Sequence, residues 1–447
     1  MSAGGHGVGG HGVGGHGRDR VVLLMGELSM LLQHPRLVEE VLRRDATPIA
    51  VFMTAGDTER FAALRADPSH ELSGLGGVLR VADSTAKTVT AALAPLRERA
   101  PIAGAIPVGE RFVEAAAVLA DLIGLPGPGW RAAHVSRNKV LQRVLFADLS
   151  PASRPVLPDQ RDALPADRLR YPAVVKPASL WGSVGVREVV TPADLGRAVG
   201  SYPAEETLLV EDRVEGPEFS VESLVQGGKV LWAGITRKAT NEADSGFFAE
   251  TGHFAPADGL TAAQEGALLA ASAEIVRRLA VADGIVHCEL RLAGDPVLKE
   301  VPVLMEVAVR MPPSISPLWL LATGEPLEGA VADIALGIPA AYPPPSRRAG
   351  RLWPDPPRGR LRAVACDGVE VSWAAADQRW PRMRPVPADA PARCCAVTVS
   401  RQLGDMLGPV SDNPSRLVSV IVDAPLDEPL AKIAAAAADA VCVEVGP

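Results

Sequence analysis

The sequence lacks most of the features that mark secreted, membrane-bound or nucleic-acid-binding proteins. Its five cysteines are odd in number and form no CxxC pair, so neither a disulfide framework nor a zinc site is indicated. No apolar run is long enough to cross a bilayer, and the first seventeen residues are rich in Gly and His instead of resembling a secretory signal. The formal net charge of -8 disfavours general nucleic-acid binding. We therefore expect a cytoplasmic protein with no membrane or nucleic-acid partner.

Several nucleotide-binding signatures are also missing. The sequence contains no GxxxxGK[ST] phosphate loop, and no GxGxxG opens a helix directly after an early strand. It has no HRD or DFG segment, and its one promising glycine loop follows a strand lysine, whereas the glycine loop of a protein kinase precedes that lysine. These absences disfavour P-loop, dinucleotide-binding and kinase folds.

The N-terminal residues 1–17 repeat Gly-Gly-His-Gly-Val and place His6, His11 and His16 five residues apart. We expect this tail to be disordered, because it has almost no side chains to bury. The histidines could instead chelate a metal ion. A glycine chain loses much entropy when it is ordered, so a passive tail is favoured.

Alternating strand and helix patterns predict an α/β (α+β) protein of three domains. The apolar run after Arg20 and a second run at 48–53 flank an apolar-periodic segment, which predicts an open α/β domain over 18–134. The unit at 135–345 contains several strand patterns and an amphipathic helix at 262–279. The last unit, 346–447, is predicted to be β-rich and to close on an Ala-rich helix.

The stretch YPAVVKPASLWGSVGVREVV at 171–190 resembles a phosphate clamp. A short apolar strand leads to Lys176, and a loop with Gly182, Ser183 and Gly185 precedes a second β-branched run. Glycines let backbone N–H groups approach a polyphosphate, and the lysine supplies positive charge. An ordinary turn between two strands has the same local pattern.

Two later strand patterns carry charged residues on one face. Because every second residue of a strand points to the same face, His287, Glu289 and Arg291 are predicted to share one face of their strand. Glu306 and Arg310 are predicted to share one face of the next strand. Two carboxylates on an apolar sheet are costly unless a cation compensates them, and Mg2+ that also bridges phosphates would do so. Solvated carboxylates with Arg310 as a structural partner are the alternative interpretation.

A third group of acids opens another strand. Glu218, Ser220 and Glu222 share one face, just after Glu211 ends the preceding strand. Such carboxylates suit hydrogen bonds to ribose hydroxyls. A hairpin with one wet face explains them equally well.

In this order, the motifs resemble the ATP-grasp superfamily, and within it the carboxylate-amine ligases that join amino acids or peptides. The resemblance covers roughly 135–340 and implies a three-domain architecture whose ATP-grasp unit contains a lid subdomain at about 171–236. It also implies ATP and Mg2+ as cofactors, with Mn2+ as the alternative ion, and a homodimer as the expected assembly.

The resemblance implies roles for individual residues. Lys139 and Lys176 match the phosphate-contacting lysines. The mobile loop over the phosphates matches Ser179, Gly182, Ser183, Gly185 and Val186. The adenine-flanking hinge matches Glu211, Asp212, Arg213 and Val214, and the ribose acid matches Glu218. Glu289 and Glu306 match the magnesium ligands, and Arg310 matches the arginine that follows them. His253, in FFAETGHFAPA, matches the loop before the long helix; His253 and Arg291 are candidate substrate contacts.

The last strand departs from the family pattern, which usually reads Glu-x-Asn-x-Arg. Ala308 stands at the Asn position. Because alanine has no side-chain oxygen, a second metal ion would need water or another residue as ligand.

The resemblance implies an ADP-forming ligase that phosphorylates a substrate carboxylate and lets an amine, amino acid or peptide attack the acyl phosphate. Lys176 and Arg310 would act on the transferring group, and His287 could deprotonate the amine or simply be a packed, hydrogen-bonded residue. Two alternatives stay open. One is a nucleotide-binding protein that has lost its chemistry, and the other is an acyl-phosphate ligase with a thiol acceptor.

Overall fold

The structure, a computed structural model, describes residues 20–53, 58–294 and 301–447. The predictions for the tail at 1–17, including those for His6, His11 and His16, lie outside the described residues.

The N-terminal unit is an open parallel sheet flanked by helices, as its β-α-β pattern predicted. Its elements are β1 (Arg20–Met25), α1 (Leu28–Leu32), α2 (Leu37–Arg43), β2 (Ala46–Met53), α3 (Thr58–Ala66), β3 (Gly77–Val81), α4 (Ala86–Arg97), β4 (Ile102–Pro107) and α5 (Val113–Ile123). The strands pair in parallel in the order β3-β2-β1-β4. Five of the six residues of β1 are buried, because helices cover both faces of a parallel sheet.

A small antiparallel sheet follows, where the resemblance implies a lid subdomain. Its elements are α6 (Trp130–Ser136), α7 (Lys139–Leu145), β5 (Ser153–Val156), β6 (Ala173–Pro177), β7 (Arg187–Val189), α8 (Pro192–Gly200) and β8 (Leu208–Asp212). The strand order is β5-β8-β6-β7. The lid sheet thus spans 153–212 and not the predicted 171–236, because the strands after residue 217 join a different sheet. Lys176 lies within β6, which extends one residue beyond it.

A nine-stranded sheet forms the centre of the molecule. The chain first contributes β9 (Glu218–Gln226), β10 (Lys229–Thr240), α9 (Glu242–Ser245), β11 (Glu250–Ala255), α10 (Ala262–Leu279), β12 (Gly284–Ala293), β13 (Val301–Ala308), α11 (Ser316–Thr323) and α12 (Leu327–Ala335). All five of these strands belong to the nine-stranded sheet. The chain continues with β14 (Arg347–Leu352), β15 (Gly359–Cys366), β16 (Val371–Ser372), α13 (Ala374–Asp377), β17 (Arg393–Val399), β18 (Met406–Leu407), β19 (Val418–Pro425), α14 (Leu430–Asp439) and β20 (Val441–Gly446). Of these strands, β14, β16, β17 and β19 belong to the nine-stranded sheet.

The strand order of this sheet is β13-β12-β9-β10-β11-β14-β19-β17-β16. The C-terminal segment therefore does not form a separate β domain at residue 346. Its strand β14 pairs with β11 and extends the central sheet, whereas β15, β18 and β20 form a small sheet of their own.

Different groups lie on the two faces of the large sheet: a helix packs on the back face, and polar side chains lie on the front face. The amphipathic helix α10, which begins and ends where the sequence predicted, buries Leu268, Ile275 and Leu279 against the back face. It is fixed at its start by a capping box between Thr261 and Gln264. The front face carries the polar residues, so the candidate site lies there.

Candidate active site

A cleft with an empty volume of about 1030 Å³ lies between the lid and the front face of the central sheet. Most of the sequence-predicted site residues line it: Lys139, Lys176, Gly182, Ser183, Val186, Glu211, Asp212, Arg213, Val214, Glu218, His287, Glu289, Arg291, Glu306 and Arg310. The prediction that the charged residues of β12 and β13 share one face of the sheet is therefore confirmed. Ser179, Gly185 and His253 do not line the cleft in this conformation.

Lys176 is buried and ion-paired on the floor of the lid sheet. Its Nζ lies 2.6 Å from Glu211 Oε2. Burial lowers the pKa of Lys176, and the opposing attraction of Glu211 does not fully offset it. Burial alone would raise the pKa of Glu211, but Lys176 and Arg143 outweigh it and lower that pKa. The Glu211 side chain is thus engaged by two cations, which leaves only its backbone for the predicted adenine hinge.

Lys139 joins the glycine loop to the acids of the central sheet. Asn138 caps α7 by accepting hydrogen bonds from the N–H groups of Val140 and Leu141, which fixes Lys139 at the start of the helix. Lys139 Nζ lies 3.1 Å from Glu306 Oε2 and donates to the Leu180 carbonyl at 2.5 Å. The two predicted phosphate lysines therefore reach the same cleft from different elements.

Glu289 and Glu306 lie directly opposite each other on β12 and β13. No group of three or more His, Cys, Asp or Glu side chains among the described residues could hold a metal ion. A pair of carboxylates nevertheless fits Mg2+ in nucleotide sites, where the ion takes one or two carboxylates and completes its shell with phosphate oxygens and water. Ala308 also lines the cleft and contributes no side-chain oxygen.

Lys238 was not predicted from the sequence, although it links three acids of the site. Its Nζ lies 3.0 Å from Glu218, 2.8 Å from Glu250 and 2.6 Å from Glu289. Burial works against its charge, but the three carboxylates outweigh burial and raise the pKa of Lys238 well above its usual value. Parity along β10 could have placed Lys238 on the polar face, but only the sheet order reveals its three partners.

His287 is held between two carboxylates. Its Nδ1 lies 2.8 Å from Glu222 Oε1, and its Nε2 lies 3.2 Å from Glu289 Oε1. Burial lowers the pKa of His287, but the hydrogen bonds to these acids dominate and raise it to about 9. The raised pKa disfavours proton acceptance by His287 at neutral pH while both carboxylates are free, and its role as a base stays a prediction. The packed, hydrogen-bonded interpretation fits.

Two candidate substrate contacts have other partners. His253 is fully buried behind Glu250, 3.4 Å from its Oε2, and packs edge-on against Trp353. Arg291 donates to the carboxylates of Glu218 and Glu242 and to the Val214 carbonyl. His253 therefore does not face a ligand directly, and Arg291 fixes the segment that leads into β9.

Arg310 receives a partner from the N-terminal unit. Its Nε lies 2.5 Å from Glu110 Oε2, and Arg137 contacts the same carboxylate at 3.0 Å. Burial works against the charge of Arg310, but Glu110 outweighs it and raises the pKa. Because residue 110 and residue 310 are far apart in sequence, no local pattern indicates this pair.

The glycine loop after Lys176 is held by the C-terminal segment. Asn413 donates its backbone N–H to the Gly182 carbonyl at 3.0 Å, and its side chain exchanges hydrogen bonds of 2.9 Å with Glu250. Ser179 points away and donates to Glu206 at 3.2 Å. Gly185 lies next to Pro177 and Tyr202.

Comparison with known proteins agrees with this geometry. Residues 169–308 match the sequence profile of the ATP-grasp domain. This match covers about a third of the chain and confirms the predicted resemblance over that segment.

Curated relatives match part of the chain. The D-alanine–D-alanine ligase of Chlorobium limicola is 35% identical over 118 residues, which are 23% of this chain and 32% of the relative. The D-alanine–D-alanine ligase of Syntrophobacter fumaroxidans is 28% identical over 172 residues, which are 37% of this chain and 50% of the relative. The chain thus spans between a third and a half of the curated relatives it matches.

Solved structures match nearly the whole chain and confirm the predicted fold. The L-amino acid ligase of Bacillus licheniformis superposes with a TM-score of 0.73 at 18% identity, over 96% of this chain and 99% of that one. A second match is the biotin carboxylase domain of Hydrogenobacter thermophilus 2-oxoglutarate carboxylase, solved with MgADP. It superposes with a TM-score of 0.62 at 16% identity, over 95% of this chain and 90% of that one. Within the described ranges, no helix is long and apolar enough to cross a membrane.

Proposed function

We propose that the protein is an ADP-forming carboxylate-amine ligase that uses ATP and Mg2+. The observation that carries the proposal is the convergence in one cleft of Lys139, Lys176, the loop at 179–186, the opposed acids Glu289 and Glu306, and Arg310. The roles are those that the resemblance to ATP-grasp ligases implies, and the ATP-grasp match over 169–308 and the names of the similar proteins support the reaction class.

The chain's own residues would act by position and charge. Lys139, Lys176 and loop N–H groups would offset charge on the transferring phosphoryl group, and Arg310 would hold the acyl phosphate or carboxylate. Mg2+ held by Glu289 and Glu306 would neutralise phosphate charge; Mn2+ could replace it. The raised pKa of His287 favours another group as the acceptor of the amine's proton.

The substrates in this proposal are a small carboxylic acid, such as an amino acid, and an amine, amino acid or peptide acceptor. A role in natural-product assembly in the cytoplasm, and a homodimeric state, are part of the same proposal. A thiol acceptor is the variant that product analysis would separate from it.

A coupled ADP-release assay over carboxylic acids, each with and without amines or short peptides, tests the function. We expect ADP release only with a matched pair, and a loss on the order of 10²-fold or more in Lys176→Ala or Glu306→Ala. Lys229→Ala is the control, because Lys229 is exposed at the far end of β10. Near-normal turnover in Lys176→Ala would refute the assignment.

Ala308 supports a second candidate, a nucleotide-binding protein without ligase chemistry. It predicts ATP binding without any substrate-dependent ADP release. Calorimetric ATP titration beside the turnover assay distinguishes the two functions.

A further inference from the structure

A second pocket lies on the front face of the central sheet, outside the cleft already described. It is enclosed by α11, the N-terminal unit and the strands β14, β17 and β19. Proline, leucine, tryptophan and methionine side chains form its apolar walls, among them Pro313, Leu320 and Trp380. We refer to it as the α11 pocket.

Arg351 contributes a buried positive charge to this pocket without a balancing carboxylate. The residue is 4% exposed and forms no ion pair with any described acid. Glu250, which attracts it at longer range, is already paired with Lys238 and Arg416. Its Nη2 donates to Ser419 Oγ at 2.9 Å, and its guanidinium lies 4.8 Å from the Trp353 ring. Its Nε has no hydrogen-bond partner. Burying a cation that has no acidic partner and an unbonded N–H group is energetically costly unless a ligand supplies the missing partner.

Two more polar atoms on the lining residues also lack partners. The fully buried Thr398 Oγ1 and the half-buried Arg36 Nε make no hydrogen bond within the described part of the chain. Buried polar groups are almost always satisfied, so three such atoms around one pocket indicate a polar occupant. Because two of the three residues are arginines, an anion is the occupant whose charge complements the pocket.

One acid also lines the pocket, but it is already engaged. Glu328 Oε1 is hydrogen-bonded to His34 Nδ1 at 3.2 Å. The apolar walls favour an anion that carries an apolar body over a bare inorganic ion. A carboxylate on a small organic molecule has this chemistry.

The α11 pocket lies close to the cleft. His253 and Arg351 are directly paired across β11 and β14, and Glu250 of the cleft contacts His253. Pro313 in the pocket wall follows Arg310 of the cleft by three residues, a span of no more than about 11 Å between Cα atoms. A ligand of one or two amino-acid residues has a comparable length.

We propose that the α11 pocket binds the carboxylate of a small organic acid, such as an amino acid, with Arg351 as ionic partner and Arg36 and Thr398 as hydrogen-bond donors. That this acid is one of the two molecules joined rests on the proposed function. Carboxylate binding itself does not.

The test is binding without nucleotide. Purified full-length protein is titrated by calorimetry and thermal shift with the proteinogenic amino acids and, in parallel, with their amides, which differ only in the carboxylate. We expect at least one acid to bind while its amide binds at least 10-fold more weakly. Arg351→Gln should abolish the difference, Arg351→Lys should retain part of it, and Thr398→Val should weaken acid binding severalfold.

Arg348→Gln is the matched control. Arg348 lies on the same strand and pairs with Asp258 at 3.4 Å, away from the pocket. If Arg351→Gln does not fold, Arg36→Gln and Thr398→Val decide the test.

The proposal is overturned if no acid in the panel binds better than its amide, or if the pocket variants bind acids as the unchanged protein does. If acid-amide discrimination holds but no substrate pair releases ADP, only the proposed ligase function fails.

Discussion

At the scale of single residues, the charged side chains of the site compensate one another before any ligand arrives. Lys238 contacts three acids, and His287 lies between Glu222 and Glu289, the second of which Lys238 also contacts. Burying such charges is tolerable only because each has a partner with good geometry. Arg351 is the exception, which is why it carries the inference about a ligand.

His287 provides a pH-dependent contribution to stability. Its pKa is raised to about 9 in the folded protein, so the native state binds more protons than the unfolded state between about pH 6.5 and pH 9. The stabilisation is fully present below about pH 6.5 and is lost as pH rises through 9. Relative to His287→Gln, we expect the free energy of unfolding to fall by at most about 3 kcal/mol over this interval.

Urea unfolding at several pH values, with both proteins in the same buffers, measures this difference. Parallel pH profiles for the two proteins would contradict the assigned charge state of His287.

At the scale of elements, the glycine loop depends on contacts from outside the lid. Gly182 and Gly185 both have positive φ angles, of 67° and 73°, but their surroundings differ. A Cβ on Gly185 would lie 3.0 Å from Pro177 and 3.1 Å from Tyr202, whereas a Cβ on Gly182 would meet nothing nearer than 3.8 Å.

These two glycines form a matched pair for mutagenesis. Gly182→Ala should cost about 1–2 kcal/mol of stability from left-handed strain alone. Gly185→Ala should cost about 1–3 kcal/mol more, because Pro177 and Tyr202 must move. Denaturant unfolding of both variants gives the comparison, and equal losses would show that the crowding at Gly185 relaxes freely.

Asn413 connects the loop to β11. In Asn413→Ala, the Glu250 N–H and carboxylate lose their side-chain partners, which should cost about 1–3 kcal/mol locally. We expect faster amide hydrogen exchange at 179–186 and in β11, with exchange in α10 unchanged. Gln402→Ala, an exposed change in the same C-terminal segment, is the control. Unaltered exchange at 179–186 would mean that Asn413 does not hold the loop.

The loop itself stays a predicted lid. We expect it to exchange more slowly with nucleotide than without, because phosphates would replace water as partners of its N–H groups. Equal exchange rates in both states would contradict a closing motion.

At the scale of the whole molecule, the central sheet contains strands from both 135–345 and 346–447, which the sequence pattern predicted to be separate domains. Strand β14 pairs with β11, and β19 continues the sheet beyond it. The front face of this sheet therefore carries both the predicted nucleotide cleft and the α11 pocket.

Deleting 346–447 tests this continuity. The shortened chain would expose the edge of β11 and the apolar residues that α14 and β19 cover, so we expect it to aggregate or to lose its cooperative thermal transition. Removing 1–17 is the control and should leave the transition unchanged. A cooperative, monodisperse 1–345 fragment would show that the ATP-grasp unit is independent of the C-terminal strands.

The sequence determined the local structure and the face of each strand. Periodicity placed α10 at its observed limits and put Glu289 and Arg291 on one side of β12, because period-two alternation depends only on neighbouring residues. The order of lysine, glycine loop and acids was sufficient to indicate the ATP-grasp domain.

Only the tertiary structure decided which charges meet. The pairs Arg310–Glu110 and Lys176–Glu211, and the three acids around Lys238, come from elements distant in sequence. The same holds for Glu222 and Glu289, which raise the pKa of His287, and for the burial of Arg351, because these effects depend on distances through space. Strand order and domain packing fix those distances, and local sequence patterns do not encode them.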